Sequence, residues 1–158
     1  KNNLYVNLYL SAYKVFKNYP IFGVGNKNYR VEACNRGYKF EYGIKDEEKK
    51  KYNYLCVTHP HQIYFEFLAE HGLVGTLILL SIFFYLIFKN LKIIILSKNY
   101  IQIGCFIYLI INFIPILPGG SFFSDFKSTF FWLNLSIMYS VSKDTNIFFL
   151  LKKNTKNH

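Results

Sequence analysis

Residues 58–88 read THPHQIYFEFLAEHGLVGTLILLSIFFYLIF: two histidines around a proline, a mixed segment, and then Leu73 to Phe88 without a single charge. With the snorkelling flanks Lys89 and Lys92 the apolar stretch reaches Leu96, which matches the roughly 20 residues that cross a hydrocarbon core. A second charge-free run, YIQIGCFIYLIINFIPIL, extends from Tyr100 to Leu117. Residues 73–96 and 100–117 are therefore expected as transmembrane helices. FKSTFFWLNLSIMYSV, Phe126 to Val141, is shorter after Lys127, and residues 129–142 are expected as a third span, with a buried or tilted helix as the competing reading. The fold class that follows is an all-α membrane protein with about three spans and a large loop before the first of them.

The formal charge of +10, from nineteen Lys and Arg against nine Asp and Glu, raises the question of nucleic acid. The positions answer it. Lys89, Lys92 and Lys98 sit between spans, and Lys143, Lys152, Lys153 and Lys156 follow the last, where the positive-inside rule places them. A membrane accounts for the charge and no nucleic-acid partner is expected. That assignment puts the 143–158 tail inside, and residues 19–72 and 118–128 outside. The segment Lys14–Lys51 carries ten basic residues against five acids and pulls the other way. Long translocated loops largely escape the rule. The chain opens on Lys1 with no signal peptide, which reads as the C-terminal part of a longer multi-span protein.

Residues 1–18 place Leu4, Leu8, Ala12, Val15 and Phe16 at helical spacing, as an amphipathic helix or the end of a preceding span. YPIFGVGN breaks that pattern with Pro20, Gly23 and Gly25, read as turn glycines. The polar stretch from Asn26 to Tyr54, with the charge run KDEEKKK, reads as an exposed loop.

Pro60 suits a first helical position, so His59 is expected as N-cap and His61 in the first turn. Unpaired N–H groups and the helix dipole gather there, favouring an anion and keeping a ring neutral. Glu66 and Glu70, one turn apart, read as a solvated helix face. Gly72 and Gly75 allow close packing or a bend where the helix meets the bilayer.

At these residues the sequence resembles the O-antigen ligase and O-antigen polymerase family of bacterial envelope glycosyltransferases. Its signature is a His followed by Asn, Ser or Gln, nine arbitrary residues, Gly-x-x-Gly, and Gly, Thr or Tyr. His61 and Gln62, then Ile63 to His71, then Gly72, Gly75 and Thr76 match every defined position. YPIFGVGNKNY resembles the start of the family's large periplasmic loop, and PILPGGSFFSDF the loop before its last span. The resemblance implies an inner-membrane, multi-pass enzyme, working at its periplasmic face without metal or other cofactor. It would move a glycan from undecaprenyl diphosphate to an acceptor hydroxyl, on lipid A-core for a ligase or on polysaccharide for a polymerase.

His61 would be the catalytic base by motif position, with His59 and Gln62 beside the substrate. Family arginines pair with the donor diphosphate, which brings forward Arg30 and Arg36, Arg30 first because it closes the glycine-turn motif. Other family arginines lie upstream of the chain's start, so this piece alone is expected to be inactive. Gly23, Gly25, Pro60, Gly72 and Gly75 would be structural.

Other readings stay beside this one. Cys56, His59 and His61, with His71 added, could hold a metal, although the spacing fits no familiar zinc pattern. Cys34 and Cys56 share a loop where oxidation is permitted, and a bridge between them is left open. Cys105 reads as an apolar filler, and Trp132 as packing or an interface anchor. Ser121 and Asp125 lack a triad partner in sequence, although GGSFF could line the acceptor site. A transporter needs ionisable residues inside its spans, and the two runs contain none. A glycan-binding scaffold without catalysis is the remaining rival.

Overall fold

A computed structural model describes residues 4–35, 37–39, 54–115 and 117–146. The elements among them are helices α1 (Leu4–Asn18) and α2 (Tyr29–Asn35), strands β1 (Gly37–Lys39) and β2 (Tyr54–Cys56), and helices α3 (Ile63–Phe88), α4 (Leu91–Ser97), α5 (Tyr100–Ile111) and α6 (Asp125–Ser140). The chain is mostly helical, as expected, with one short parallel strand pair added, Gly37 opposite Tyr54 and Lys39 opposite Cys56. Two compact units form: residues 1–80 with 115–124, and residues 81–114 with 125–158. Helix α3 contributes to both.

In the first unit α1 buries one face, Leu8, Ser11, Ala12 and Val15, as its helical spacing requires. Ala12, Val15, Tyr29, Ala33 and Ala69 make the core, covered by Tyr19, Val24, Val57 and Phe65. Three of its members are alanines, one each from α1, α2 and α3, set beside Tyr29. The Leu55 N–H donates to Ser11 Oγ at 2.8 Å, which ties β2 to α1. Cys34 and Cys56 are disulfide-bonded, so the open question about that pair is answered and α2 is fastened to β2.

Helix α3 is broken inside its length. Gly72 takes φ 62°, ψ −167°, a conformation essentially reserved for glycine. A break frees carbonyls before it and amides after it, and the loop from Pro20 to Gly25 takes up both. Val24 and Gly25 donate to the carbonyls of Ala69 (3.0 Å) and Glu70 (2.8 Å), while Leu73 and Val74 donate to those of Pro20 (2.8 Å) and Ile21 (3.2 Å). Backbone meets backbone here. A Cβ on Gly23 would lie 2.4 Å from the Glu70 carbonyl, and one on Gly72 would lie 2.3 Å from Ile21 O. Of the two roles left open for Gly72, close packing or a bend, it has both, and the two glycine motifs turn out to be halves of one crossing. At Gly75 an added Cβ would meet His71 Cβ at 2.7 Å.

The second unit packs aromatic rings. Phe83, Phe113 and Phe131 form a triangle with centroids 5.2 to 6.0 Å apart. Ile87, Ile94, Cys105, Leu109, Leu135 and Met138 are buried with them, and Cys105 is the filler its setting suggested. Gln102 is fully buried; its Nε2 donates to Met138 O (2.7 Å) and Thr145 Oγ1 (3.1 Å), and its Oε1 accepts from Ser97 Oγ (3.0 Å).

The helical stretch Ile63–Ser97 is long and apolar enough to cross a membrane, with mean hydropathy 2.1 in its most apolar window. Leu77 and Ile78 are 57% and 55% exposed, a surface suited to lipid. The expected second span differs. Residues 100–117 are helical only over Tyr100–Ile111, about 18 Å at 1.5 Å per residue. Asn112 caps the end, and Pro115 has no N–H to continue the ladder and disfavours helix at Ile114. The helix assigned to 129–142 begins earlier, at Asp125, whose carboxylate suits a first turn, and ends at Ser140.

Candidate active site

The segment before α3 sets the site, and it starts later than the sequence suggested. The helix begins at Ile63, and its cap is Gln62, not His59: Gln62 Oε1 accepts from Phe65 N at 2.8 Å. Pro60 is buried but lies three residues before the helix, so His61 stands outside the first turn. The reason is competition for the cap. A Gln side chain three residues before a free amide satisfies one of the orphan donors at the start of the helix.

His61 has φ 57°, an uncommon backbone conformation for a side-chain-bearing residue. Such outliers persist where surroundings over-determine them. The His61 carbonyl accepts from Gly119 N at 2.9 Å, and Gln62, 6% exposed, donates from Nε2 to Pro115 O at 3.2 Å. Loop 117–124 therefore grips the histidine turn through its backbone. The His61 ring lies 4.2 Å, centroid to centroid, from that of His59 and meets Tyr5 edge-on at 6.4 Å. His59 Nδ1 shares a 2.9 Å hydrogen bond with Thr58 Oγ1.

The two acids overturn the solvated-face reading. Glu66 is 2% exposed and Glu70 3%. Glu66 accepts from Ser121 Oγ and from Phe122 N, the latter at 2.9 Å. Ser121 thus does have a partner, one that no sequence spacing announces. Glu70 accepts from Lys27 N (2.9 Å) and Tyr29 N (3.4 Å), the residues that lead into α2. Burial pushes the Glu70 carboxyl up to about 7, with the two amide bonds opposing and the Glu66 charge adding to the rise. His71, half-buried against Phe67 and Phe123, is held below the ordinary imidazole range by burial.

The expected site residues are brought together unevenly. His59, His61 and Gln62 share one turn. Arg30 sits exposed on α2, fixed to the site segment through the Glu70 bonds to Lys27 and Tyr29. Arg36, the charge run Lys45–Lys51 and the tail from residue 147 lie outside the described residues. Cys56 is committed to Cys34, which removes its thiolate from the metal-ligand set with His59 and His61. A cavity of about 390 Å³ lined by Tyr19, Gly23, Val24, Asn28, Val31 and Glu32 opens beside α2 and does not reach His61.

The family model described as O-antigen ligase matches residues 1–80, which contain the histidine turn, the glycine crossing and both acids. The chain belongs to the O-antigen ligase family. Among curated proteins none matches it, and no solved structure does. Membership makes this a chain of a bacterial membrane family of ligases and polymerases that handle polysaccharide or lipid-linked glycan. Within this O-antigen ligase family chain the match ends at residue 80, so loop 117–124, which grips His61, lies beyond it. Glu66, Glu70 and Ser121 are the residues that sequence reasoning undervalued. Two acids spaced by four immediately before a charge-free span were the available signal.

Proposed function

We propose that the protein transfers a glycan from undecaprenyl diphosphate to an acceptor hydroxyl on lipid A-core, at the periplasmic face of the inner membrane. His61 takes the acceptor proton as the hydroxyl oxygen attacks the anomeric carbon. The bond from that carbon to the diphosphate oxygen breaks, and the diphosphate leaves with both electrons and its negative charge. Arg30 meets that charge with a planar pair of donors. His59 and Gln62 complete the substrate side of the turn, and Gln62 also fixes its backbone. The apolar helical stretch Ile63–Ser97 holds the site at the bilayer, and the chemistry uses no metal.

The observation that carries this reading is the backbone of His61. A family-signature histidine sits at positive φ, locked by its own carbonyl to Gly119 and by its neighbour's side chain to Pro115. A merely structural histidine at a helix start has no need of that double restraint. The test is complementation of a ligase-deficient strain with the full-length gene carrying His61→Ala, scoring polymer attached to lipid A-core alongside the level of protein in the membrane. Lost attachment at normal levels supports the assignment; full attachment by the variant refutes it. Failure of wild type itself to attach polymer, with chain extension instead, points to the polymerase.

A further inference from the structure

Helix α3 presents Glu66 and Glu70 one turn apart, both buried, and each carboxylate is occupied by a different loop. Glu66 receives the Ser121 hydroxyl and the Phe122 amide. That loop is also the one whose Gly119 amide holds the His61 carbonyl. Glu70 receives the amides of Lys27 and Tyr29, directly before Arg30. All four of these groups are donors. A carboxylate offers two acceptor oxygens and so can take two donors at once, whereas an amide side chain of the same shape offers one oxygen and turns a donor toward the other. Burying an acid carries a large desolvation penalty unless its oxygens are satisfied, so the fold keeps these two where two donors meet each.

We infer that Glu66 and Glu70 are positioning residues with separable roles: Glu66 holds loop 117–124 against the His61 turn and so orients the base, and Glu70 holds the start of α2 and so orients Arg30 toward the donor. This rests on the roles given above to His61 and Arg30. The two acids belong to one rigid helical turn, yet their loops are 90 residues apart in sequence, and one substitution releases one loop at a time. A base that is misaimed by a fraction of an ångström loses transition-state stabilisation without losing substrate, whereas a displaced diphosphate contact loses donor binding.

The experiment is steady-state transfer by the full-length protein in proteoliposomes, with lipid-linked glycan donor varied at saturating acceptor. Glu66→Gln is expected to lower kcat about tenfold or more with donor KM within about twofold, and Glu70→Gln to raise donor KM about tenfold with kcat within about twofold. Ser121→Ala, which deletes one donor and leaves the Phe122 amide, should repeat the Glu66 pattern more weakly and decides the matter if Glu66→Gln fails to accumulate. Arg30→Ala should make Glu70→Gln silent in the double variant, since both then remove one contact.

His61→Ala runs beside them. If it transfers normally, the functional reading itself falls. If it is inactive while the two glutamine variants show wild-type constants, or lose kcat and KM in the same proportion, the positioning roles are overturned and the functional reading stands.

Discussion

Each of the two units of this chain has its own kind of internal join. Around residues 19–28, 62–74 and 115–124 the joins are hydrogen bonds, four of them backbone to backbone across the Gly23–Gly72 crossing and four more onto two buried carboxylates. Around Phe83, Phe113 and Phe131 the joins are rings and aliphatic side chains, with Gln102 and Thr145 as fully buried polar anchors. Hydrogen bonds are directional and fix atoms; apolar packing fixes volume and tolerates exchange. The proposed transfer needs its base and its anion contact set to within a fraction of an ångström, and the glycine crossing and both buried carboxylates lie within the residues that match the family.

The largest expected effect breaks the polar unit at its crossing. Gly72→Ala must place a Cβ 2.3 Å from a carbonyl oxygen in a backbone region closed to side-chain-bearing residues. A loss above about 4 kcal/mol is expected, the range of the most severe single substitutions, and it is read as failure of the full-length protein to accumulate in membranes. Phe131→Ala is the matching blow to the apolar unit. In a water-facing core it would cost about 3–5 kcal/mol, but in lipid the transfer contribution falls away, so a loss of about 1–2 kcal/mol is expected from thermal unfolding in micelles.

A smaller effect distinguishes the units by pH. Glu70 titrates near 4.5 when unfolded and about 7 when folded, so between those values the folded state keeps a proton that the unfolded state releases. Stability therefore falls as pH rises through that window, and Glu70→Gln removes the slope. His71, lowered by burial, contributes the opposite slope as pH rises toward its ordinary value of 6.5, so the readout is wild type minus variant across pH 4.5 to 7. Equal slopes for both proteins would contradict the buried-acid account. The smallest effect is Gly104→Ala, where an added methyl meets nothing within 4 Å in α5. It should stabilise by about 0.5–1 kcal/mol in the same unfolding assay, since this glycine serves no close approach.

How much of this was legible in the sequence follows the same division. The apolar run from Leu73, the helical spacing of the first residues and the His–Gln to Gly-x-x-Gly spacing are local patterns: the first lies in the helical stretch Ile63–Ser97, the second in the helix Leu4–Asn18, and the third in the part that matches the family. What stayed hidden depends on partners far along the chain. Glu66 finds Ser121 and Phe122 across 55 and 56 residues, and Glu70 finds Lys27 and Tyr29 across 43 and 41. With no view of those donors, two acids at helical spacing read as a wet face. Gln62 displaced His59 as cap because a side-chain carbonyl reaching a free amide outweighs the preference of Pro60 for the first helical position. Gly72 was legible as a bend but not as a socket for Pro20 to Gly25, since nothing in Gly-x-x-Gly says which backbone fills the gap.

The central claim is that the restrained His61 turn performs proton transfer. The most direct measurement is the single-turnover rate of glycan transfer by purified full-length protein in proteoliposomes, wild type against His61→Ala, with folding matched by thermal transition. A fall of at least about 100-fold at unchanged stability is expected from loss of a general base. A variant that transfers within a few-fold of wild type would contradict the account.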